Sequence, residues 1–346
     1  MRKIYYLIPD LYKKKAFSFK GVLSSLRHGG VRKYLSDCFL RTPKPVGGVK
    51  IIYQHCVLLR ELGYEAFPLL MGEYEGNFYG YDINTVKYKD VINTIDSTDV
   101  VVSTEFEPYQ GLLFNQCIKI MFLQNWAGLW SRRKPIDIHK TYIQLGYDIV
   151  ITCSDFCSNY VREQMQINVK TITNGIDTSL FKPGDSSKKN NRILAMSRKN
   201  PNDLHYIKNL LIDTPYEFKI VDGLTQDELI REYQQADIFL ATGYPEGFGL
   251  PPLEAMCCAC IVVGFTGGAA SEFMIDNKTA LVSKDGDCTK VAQDLRNLLS
   301  QPDLKEQIRM QGYNQAREYD LANTKRELSA FYGQLFQNDA SHQKNT

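Results

Sequence analysis

The stretch that decides the fold is DIFLATGYPEGFGLPPLEAM, residues 237–256. The apolar run DIFLAT predicts a buried strand, and PPLEAM predicts a helix that begins with prolines, where a missing N–H costs nothing. Between them, Gly247 and Gly249 allow a tight backbone turn. The stretch therefore predicts one strand–turn–helix unit of a parallel α/β sheet, with Glu246 and Glu254 on either side of its turn.

This turn predicts a ligand site. The backbone N–H groups of Phe248, Gly249 and Leu250 are expected to remain unbonded beside a helix N-terminus, where anions or sugar oxygens bind. We expect Glu254 in the first helical turn, and Glu246 at the strand end, to face the same pocket. A carboxylate accepts two hydrogen bonds and so matches a vicinal diol. The pattern therefore predicts one glutamate for a ribose and one for a transferred sugar.

The same strand–helix rhythm runs through the whole chain. In the first half, buried parallel strands are predicted at KIYYLIP (3–9), EAFPLL (65–70), DVVVS (99–103), IKIMFL (118–123) and DIVITC (148–153). In the second half they are predicted at VKTIT (169–173), RILAMS (192–197), EFKIVD (217–222), DIFLAT (237–242), CIVVGF (260–265) and TALVS (279–283). Two such series predict an α/β protein of two doubly wound, Rossmann-like domains that face a central cleft.

Composition and one irregular segment define the domains. A chain of 346 residues with 44% hydrophobic and 23% charged residues fits two globular domains. The segment NGIDTSLFKPGDSSKKNN (174–191) interrupts the rhythm with Gly, Pro, Ser and Asn. We therefore predict an N-terminal domain at 1–170, a C-terminal domain at 171–325, and a helix end with a polar tail at 326–346.

The segment GGVKIIYQHCVLLRELG (47–63) predicts an amphipathic helix that stops at Gly63. Its apolar face consists of Val49, Ile52, Tyr53, Cys56 and Leu59.

Residues 10–46 do not fit the rhythm, because they separate the first strand from its helix by far more than a usual loop. The segment is basic, and its cations are Lys13, Lys14, Lys15, Lys20, Arg27, Arg32, Lys33, Arg41 and Lys44, against Asp10 and Asp37. Apolar residues are interleaved with these charges. Two interpretations are open: a basic, partly helical flap facing anionic lipid or an anionic acceptor, or a solvated insertion with a small satellite core.

Composition also bears on compartment and partners. No apolar run approaches the length of a signal peptide or a membrane span. Nine cysteines without histidines at ligand spacing predict reduced thiols in a cytosolic protein rather than a zinc site. The net charge of +2 does not call for a polyanion, and no nucleic-acid partner is predicted. No GxGxxG follows any strand, so a dinucleotide oxidoreductase is poorly supported.

The E-x7-E spacing of EGFGLPPLEAM (246–256), followed by GGAASEF (267–273), resembles the retaining glycosyltransferases of GT-B fold in glycosyltransferase family 4, the group 1 type. Three further motifs match that family in order: GGV (47–49), NGID (174–177) and LVSKDGDCTKVAQDL (281–295). The resemblance is strong over about residues 170–300 and thinner before 150. The ordered set of four motifs is more specific than E-x7-E alone.

The resemblance implies a metal-independent, retaining hexosyltransferase without a cofactor. It would move a sugar from a nucleotide-diphosphate sugar, with UDP as the expected nucleotide, to a saccharide or lipid-linked acceptor in polysaccharide assembly. Glu246, Arg198 and Lys199 would be the catalytic groups. The donor would be bound by Gly47, Gly48, Asn174, Arg198, Lys199, Gly247, Phe248, Gly249, Leu250 and Glu254. The family usually separates its Arg and Lys, whereas here they are adjacent, and Lys208 is the next lysine.

The N-terminal half departs from the family pattern on the acceptor side. Relatives often carry a histidine after the strand that corresponds to IKIMFL, where this chain has Gln124, Asn125 and Trp126. We expect Gln124 or Asn125 to hydrogen-bond the sugar instead. Trp126 either stacks on an acceptor ring or belongs to the core. Glu107, or its neighbour Glu105, either orients the acceptor hydroxyl or caps a helix.

Asp285 and Asp287 spell a DxD, which binds a metal in other sugar transferases, but their place before a helix predicts an N-cap at Asp287. Two functional alternatives remain. A GT-B sugar-nucleotide epimerase would need acid–base groups at the sugar. A catalytically silent subunit that only binds a partner transferase is kept open by the missing histidine. The predicted location is cytoplasmic, with peripheral contact at the inner face of the membrane if residues 10–46 are a flap.

Overall fold

Two parallel β-sheets organise the chain, whose computed structural model describes residues 2–11, 17–27, 31–35, 46–184 and 190–342. The strands of the first sheet are β1 (Lys3–Ile8), β2 (Glu65–Leu70), β3 (Val86–Lys87), β4 (Val100–Thr104), β5 (Ile118–Leu123), β6 (Ile149–Thr152) and β7 (Lys170–Thr171). Those of the second are β8 (Arg192–Met196), β9 (Glu217–Val221), β10 (Ile238–Ala241), β11 (Ile261–Phe265) and β12 (Leu281–Ser283). The orders are β3-β2-β1-β4-β5-β6-β7 and β12-β11-β10-β8-β9, the doubly wound arrangement predicted.

Helices cover both sheets. They are α1 (Phe19–Arg27), α2 (Val31–Leu35), α3 (Gly47–Glu61), α4 (Tyr88–Val91), α5 (Tyr142–Leu145), α6 (Asp155–Met165), α7 (Pro201–Leu210), α8 (Gln226–Gln235), α9 (Leu250–Cys257), α10 (Cys288–Leu299), α11 (Pro302–Arg317) and α12 (Leu321–His342). The predicted apolar face of α3 is buried, and Gly63 follows its end with φ +86°. The polar side chains of Lys50, Gln54 and His55, which lie outside the predicted apolar face, are buried as well.

The predicted position of VKTIT at the start of the second half is wrong. Its central residues form β7 and pair with β6, with Ile151 opposite Lys170 and Thr152 opposite Thr171. β7 is therefore an edge strand of the first sheet. Its local pattern could not reveal this, because the residues of one strand do not specify the sheet with which the strand pairs.

The C-terminal helix α12 returns to the first half of the chain and packs on α3. The hydroxyls of Tyr332 on α12 and Tyr6 on β1 lie 3.0 Å apart in the buried core. All the described cysteines are buried and none of them forms a disulfide, which fits the interpretation as reduced thiols.

The insertion at 10–46 is only partly described. Helix α1 exposes the large apolar side chains of Phe19, Leu23 and Leu26. The lysine cluster at 13–15 lies outside the described residues, as do Asp37, Arg41 and Lys44. No helix in the ranges that the structure describes is both long and apolar enough to cross a membrane.

Candidate functional site

A cleft of ≈ 410 Å³ lies between the two sheets. Residues that follow the carboxyl ends of strands line it, including Gln124 after β5, Arg198 after β8 and Asp222 after β9. This is where an open α/β sheet binds its ligands. The cleft brings together all the predicted donor residues, which are Gly47, Gly48, Asn174, Arg198, Lys199, Gly247, Phe248, Gly249, Leu250 and Glu254, together with Glu246, Gln124 and Asn125.

The glycine turn leads directly into α9. Gly249 is the N-cap of this helix and has φ +95°, a conformation that glycine adopts without strain. Because α9 begins at Leu250, Glu254 lies in its second turn and not, as predicted, in the first. Among the described residues, none accepts a hydrogen bond from the N–H of Phe248, Gly249 or Leu250. Unbonded N–H groups at a helix N-terminus suit an anion.

Gly247 has a different role from the one its sequence context predicts. A Cβ atom there would lie 1.7 Å from the carbonyl oxygen of Gln124, across the cleft. Its own carbonyl accepts hydrogen bonds from Cys153 Sγ at 3.2 Å, Ser154 Oγ at 3.1 Å and Cys157 Sγ at 3.2 Å. The missing side chain therefore lets the turn of the C-terminal half lie directly against the N-terminal half.

Each carboxylate of the E-x7-E segment is paired with a lysine. Glu246 Oε1 lies 2.7 Å from Lys199 Nζ, which also donates to the carbonyl of Pro245 at 2.8 Å. Glu254 Oε1 lies 2.7 Å from Lys50 Nζ. Lys199 is thus the lysine at the turn. Sequence analysis missed Lys50, whose only local signal is its place two residues after the glycine pair.

The alternative lysine, Lys208, lies exposed on α7 and is not among the residues that line the cleft. Arg198 is exposed at the mouth of the cleft. Two helix N-termini also face the cleft, since a Cβ on Gly47 at the start of α3 would lie 3.5 Å from Leu250 Cδ1 at the start of α9. Cationic side chains and helix N-termini together make this region favourable for a polyphosphate.

Two buried amides lack protein partners for one of their polar atoms. Gln124 Nε2 and Asn174 Oδ1 have no hydrogen-bond partner among the described residues, and both side chains line the cleft. Since buried polar atoms are nearly always bonded, a ligand in the cleft is the natural partner of both. Asn125 is already engaged, because its Oδ1 accepts from Ala127 N at 3.1 Å.

Trp126 and Glu107 are not among the residues that line the cleft, and their acceptor roles stay predictions. The Trp126 indole donates to the carbonyl of Gly267 at 3.0 Å, and its ring packs on Tyr160 at 5.2 Å between centroids. It therefore joins the two halves, in line with the packing alternative. Glu107 pairs with Arg132 at 2.7 Å on the surface. The sequence around a loop at the end of a strand does not indicate which of its side chains line the cleft.

Glu105 forms a hydrogen bond with the backbone of the loop after β5, and it caps no helix among the described residues. It is fully buried, and its Oε2 accepts from Gln124 N at 3.0 Å while Oε1 has no partner among the described residues. Burial raises the pKa of this carboxyl to about 7. Glu105 thus positions Gln124 and does not line the cleft.

Asp287 of the DxD motif caps a helix, as predicted. Asp287 is the N-cap of α10 and accepts from Lys290 N at 3.0 Å, while Asp285 Oδ1 accepts from Gly267 N at 3.1 Å. In the described part of the chain, no group of three or more His, Cys, Asp or Glu side chains is arranged to hold a metal ion.

Comparison with known proteins agrees with this geometry. Residues 202–315 match the family model "Glycosyl transferases group 1". The chain is 21% identical over 336 residues to an alpha-1,6-glucosyltransferase of Actinobacillus pleuropneumoniae serotype 7 (strain AP76), covering 89% of this chain and 96% of that protein.

Solved structures show the same fold. HepE of Anabaena, crystallised with UDP and glucose, superimposes with a TM-score of 0.71 at 14% identity, over 96% of this chain and all of that one. A glycosyltransferase from Rickettsia africae ESF-5 superimposes with a TM-score of 0.68 at 16% identity, over 97% of this chain and 99% of that one. The fold is therefore that of GT-B glycosyltransferase structures, and the match to the group 1 model covers residues 202–315.

Proposed function

We propose that this protein is a metal-independent, retaining glycosyltransferase that moves a sugar from a UDP-linked donor to a hydroxyl of a saccharide or lipid-linked acceptor. The observation that carries the proposal is the arrangement of Glu246 and Glu254, which lie around a glycine turn within the cleft beside two helix N-termini and Arg198. The glucosyltransferase relative, and the UDP and glucose bound by HepE, support a hexose donor linked to UDP.

Each part of the donor has a suitable place. Glu254 accepts hydrogen bonds from the ribose hydroxyls, and the α9 N-terminus with Arg198 and Lys199 receives the diphosphate. Glu246 accepts hydrogen bonds from hydroxyls of the transferred sugar. Gln124 Nε2, which has no partner among the described residues, donates a hydrogen bond to the same sugar. No cofactor is needed beyond the donor.

The chemistry requires no protein nucleophile. The acceptor oxygen bonds to the anomeric carbon on the face from which the nucleotide leaves, and the bond from that carbon to the diphosphate oxygen breaks. The acceptor proton passes to the departing diphosphate. Negative charge grows on that group in the transition state, so fixed cations such as Arg198 stabilise the transition state more than the bound donor.

A screen of nucleotide sugars by thermal shift tests the donor, because a bound ligand stabilises the folded state by mass action. We expect a UDP-sugar to give the largest rise in Tm. With that donor and a saccharide acceptor, NMR of the product should show the anomeric configuration of the donor, in excess EDTA as well as without it. An inverted product, or transfer abolished by EDTA, would overturn the mechanism.

The same assay, run with and without the acceptor, separates the two alternatives. An epimerase would convert a UDP-sugar into a new sugar nucleotide when no acceptor is present. A silent subunit would bind the donor without turnover until a partner transferase is added.

A further inference from the structure

Lys50 is a buried lysine at the start of α3, where no motif assigns a function. Its side chain is 5% exposed, and Nζ lies 2.7 Å from Glu254 Oε1, 204 positions away in the chain. The same nitrogen lies 4.9 Å from the ring centroid of Phe181 and 5.2 Å from that of Tyr79. Lysine is almost never buried unless it is paired, so this position needs an explanation.

The pair solves an electrostatic problem at Glu254. Its side chain is only 6% exposed, and an ionised carboxylate at such a depth is strongly disfavoured without a partner. Lys50 supplies the countercharge from the N-terminal half, and the Tyr233 hydroxyl donates to the other oxygen at 3.3 Å. Each carboxylate oxygen has two acceptor positions, so both oxygens retain one for the hydroxyls of a diol.

We propose that Lys50 is a positioning residue for nucleotide binding, which holds the Glu254 carboxylate oriented at the ribose subsite. The inference rests on the proposed function, since it assigns Glu254 to the ribose. Lys50 also lines the cleft, but its ammonium group lies against one carboxylate and two aromatic rings, so we assign its action to Glu254 rather than to the diphosphate. The ribose site is therefore complete only when the two halves of the chain are closed on each other.

The first test compares UDP with 2′-deoxy-UDP by titration calorimetry. The intact protein should prefer UDP by about 10- to 150-fold, the value of one hydrogen bond to a charged group. Lys50→Met should reduce this preference to about 2-fold or less, mainly by weakening UDP. Equal weakening of both nucleotides would show direct contact with the diphosphate and overturn the proposal, as would an unchanged preference.

Lys325→Met is the matched control, because Lys325 also forms a 2.8 Å ion pair between α12 and the same helix α3, with Glu61, but on the surface. Surface pairs contribute little, so the control should keep both affinities within about 2-fold.

A double-mutant cycle tests the coupling between Lys50 and Glu254 through the Tm of the protein without ligand. Lys50→Met alone should lower Tm by about 5–10 °C, since it leaves a buried carboxylate unpaired. Lys50→Met combined with Glu254→Gln should recover at least half of that loss. Additive losses would show that the two residues do not act as a unit and would refute the proposal.

The outcomes separate this inference from the proposed function. If the intact protein binds no UDP, the proposed donor is wrong and the inference fails with it. If Glu254→Gln abolishes the ribose preference while Lys50→Met retains it, the proposed function stands and only the inference fails.

Discussion

Gly247→Ala should open the cleft between the two halves of the chain. The new Cβ would lie 1.7 Å from the Gln124 carbonyl oxygen and 2.6 Å from Asn125 Cα. Both are backbone atoms that cannot rotate away, so the turn must retreat by more than 1 Å to reach an ordinary contact distance. That retreat breaks the hydrogen bonds that the Gly247 carbonyl accepts from Cys153, Ser154 and Cys157.

The cost follows from these contacts. Overpacking typically costs about 1–3 kcal/mol. The three hydrogen bonds contribute about 0.5–1.5 kcal/mol each, with the thiols at the low end. A loss of roughly 2.5–5.5 kcal/mol falls on the contact between the halves. The first sheet keeps the buried cluster around Tyr5, Leu7 and Leu69, and the second keeps the one around Ile193, Leu240 and Val263. We therefore expect separation of the halves rather than global unfolding.

Small-angle X-ray scattering measures the separation directly as a larger radius of gyration, and UDP affinity should fall in parallel. Gly333→Ala is the control, since Gly333 lies in α12 and a Cβ there meets nothing within 4 Å. That variant should be stabilised by about 0.5–1 kcal/mol, because alanine favours a helix interior. If Gly247→Ala leaves the radius and the UDP affinity unchanged, the account of this glycine is wrong.

Three further variants test other parts of the structure. Arg198→Ala should reduce kcat/KM more than donor affinity, because charge on the diphosphate grows toward the transition state; equal losses in steady-state kinetics and calorimetry would show that it only holds the donor. Asp287→Ala should cost about 0.5–2 kcal/mol in urea unfolding by removing the cap on α10, with EDTA-resistant transfer retained; loss of transfer in the folded variant would contradict that role. Glu105→Gln should change how stability depends on pH. Because the folded-state pKa of Glu105 is raised from 4.5 to about 7, the wild type loses up to roughly 3 kcal/mol as pH rises from about 4.5 to 7. The variant lacks this loss, so its stability relative to wild type should improve between pH 5 and pH 8, and a constant difference would refute the assignment.

The sequence by itself determined the features that depend on near neighbours. Apolar runs of the length of a strand predicted the strands to within a residue or two at most positions, and the spacing around Gly249 located the turn into α9. The N-cap at Asp287 followed from its place before an amphipathic helix. Such features depend on backbone preference and side-chain period within one element, so a short window contains their cause.

Only the tertiary structure decided which of these elements meet. It placed β7 in the first sheet, left Trp126 and Glu107 out of the lining of the cleft, and paired Lys50 with a glutamate 204 positions away. It also gave Gly247 its role, since the limiting contact comes from a carbonyl of the other half of the chain. The physical reason is that burial and pairing between distant segments depend on how the two sheets are packed together, and no local period records that packing.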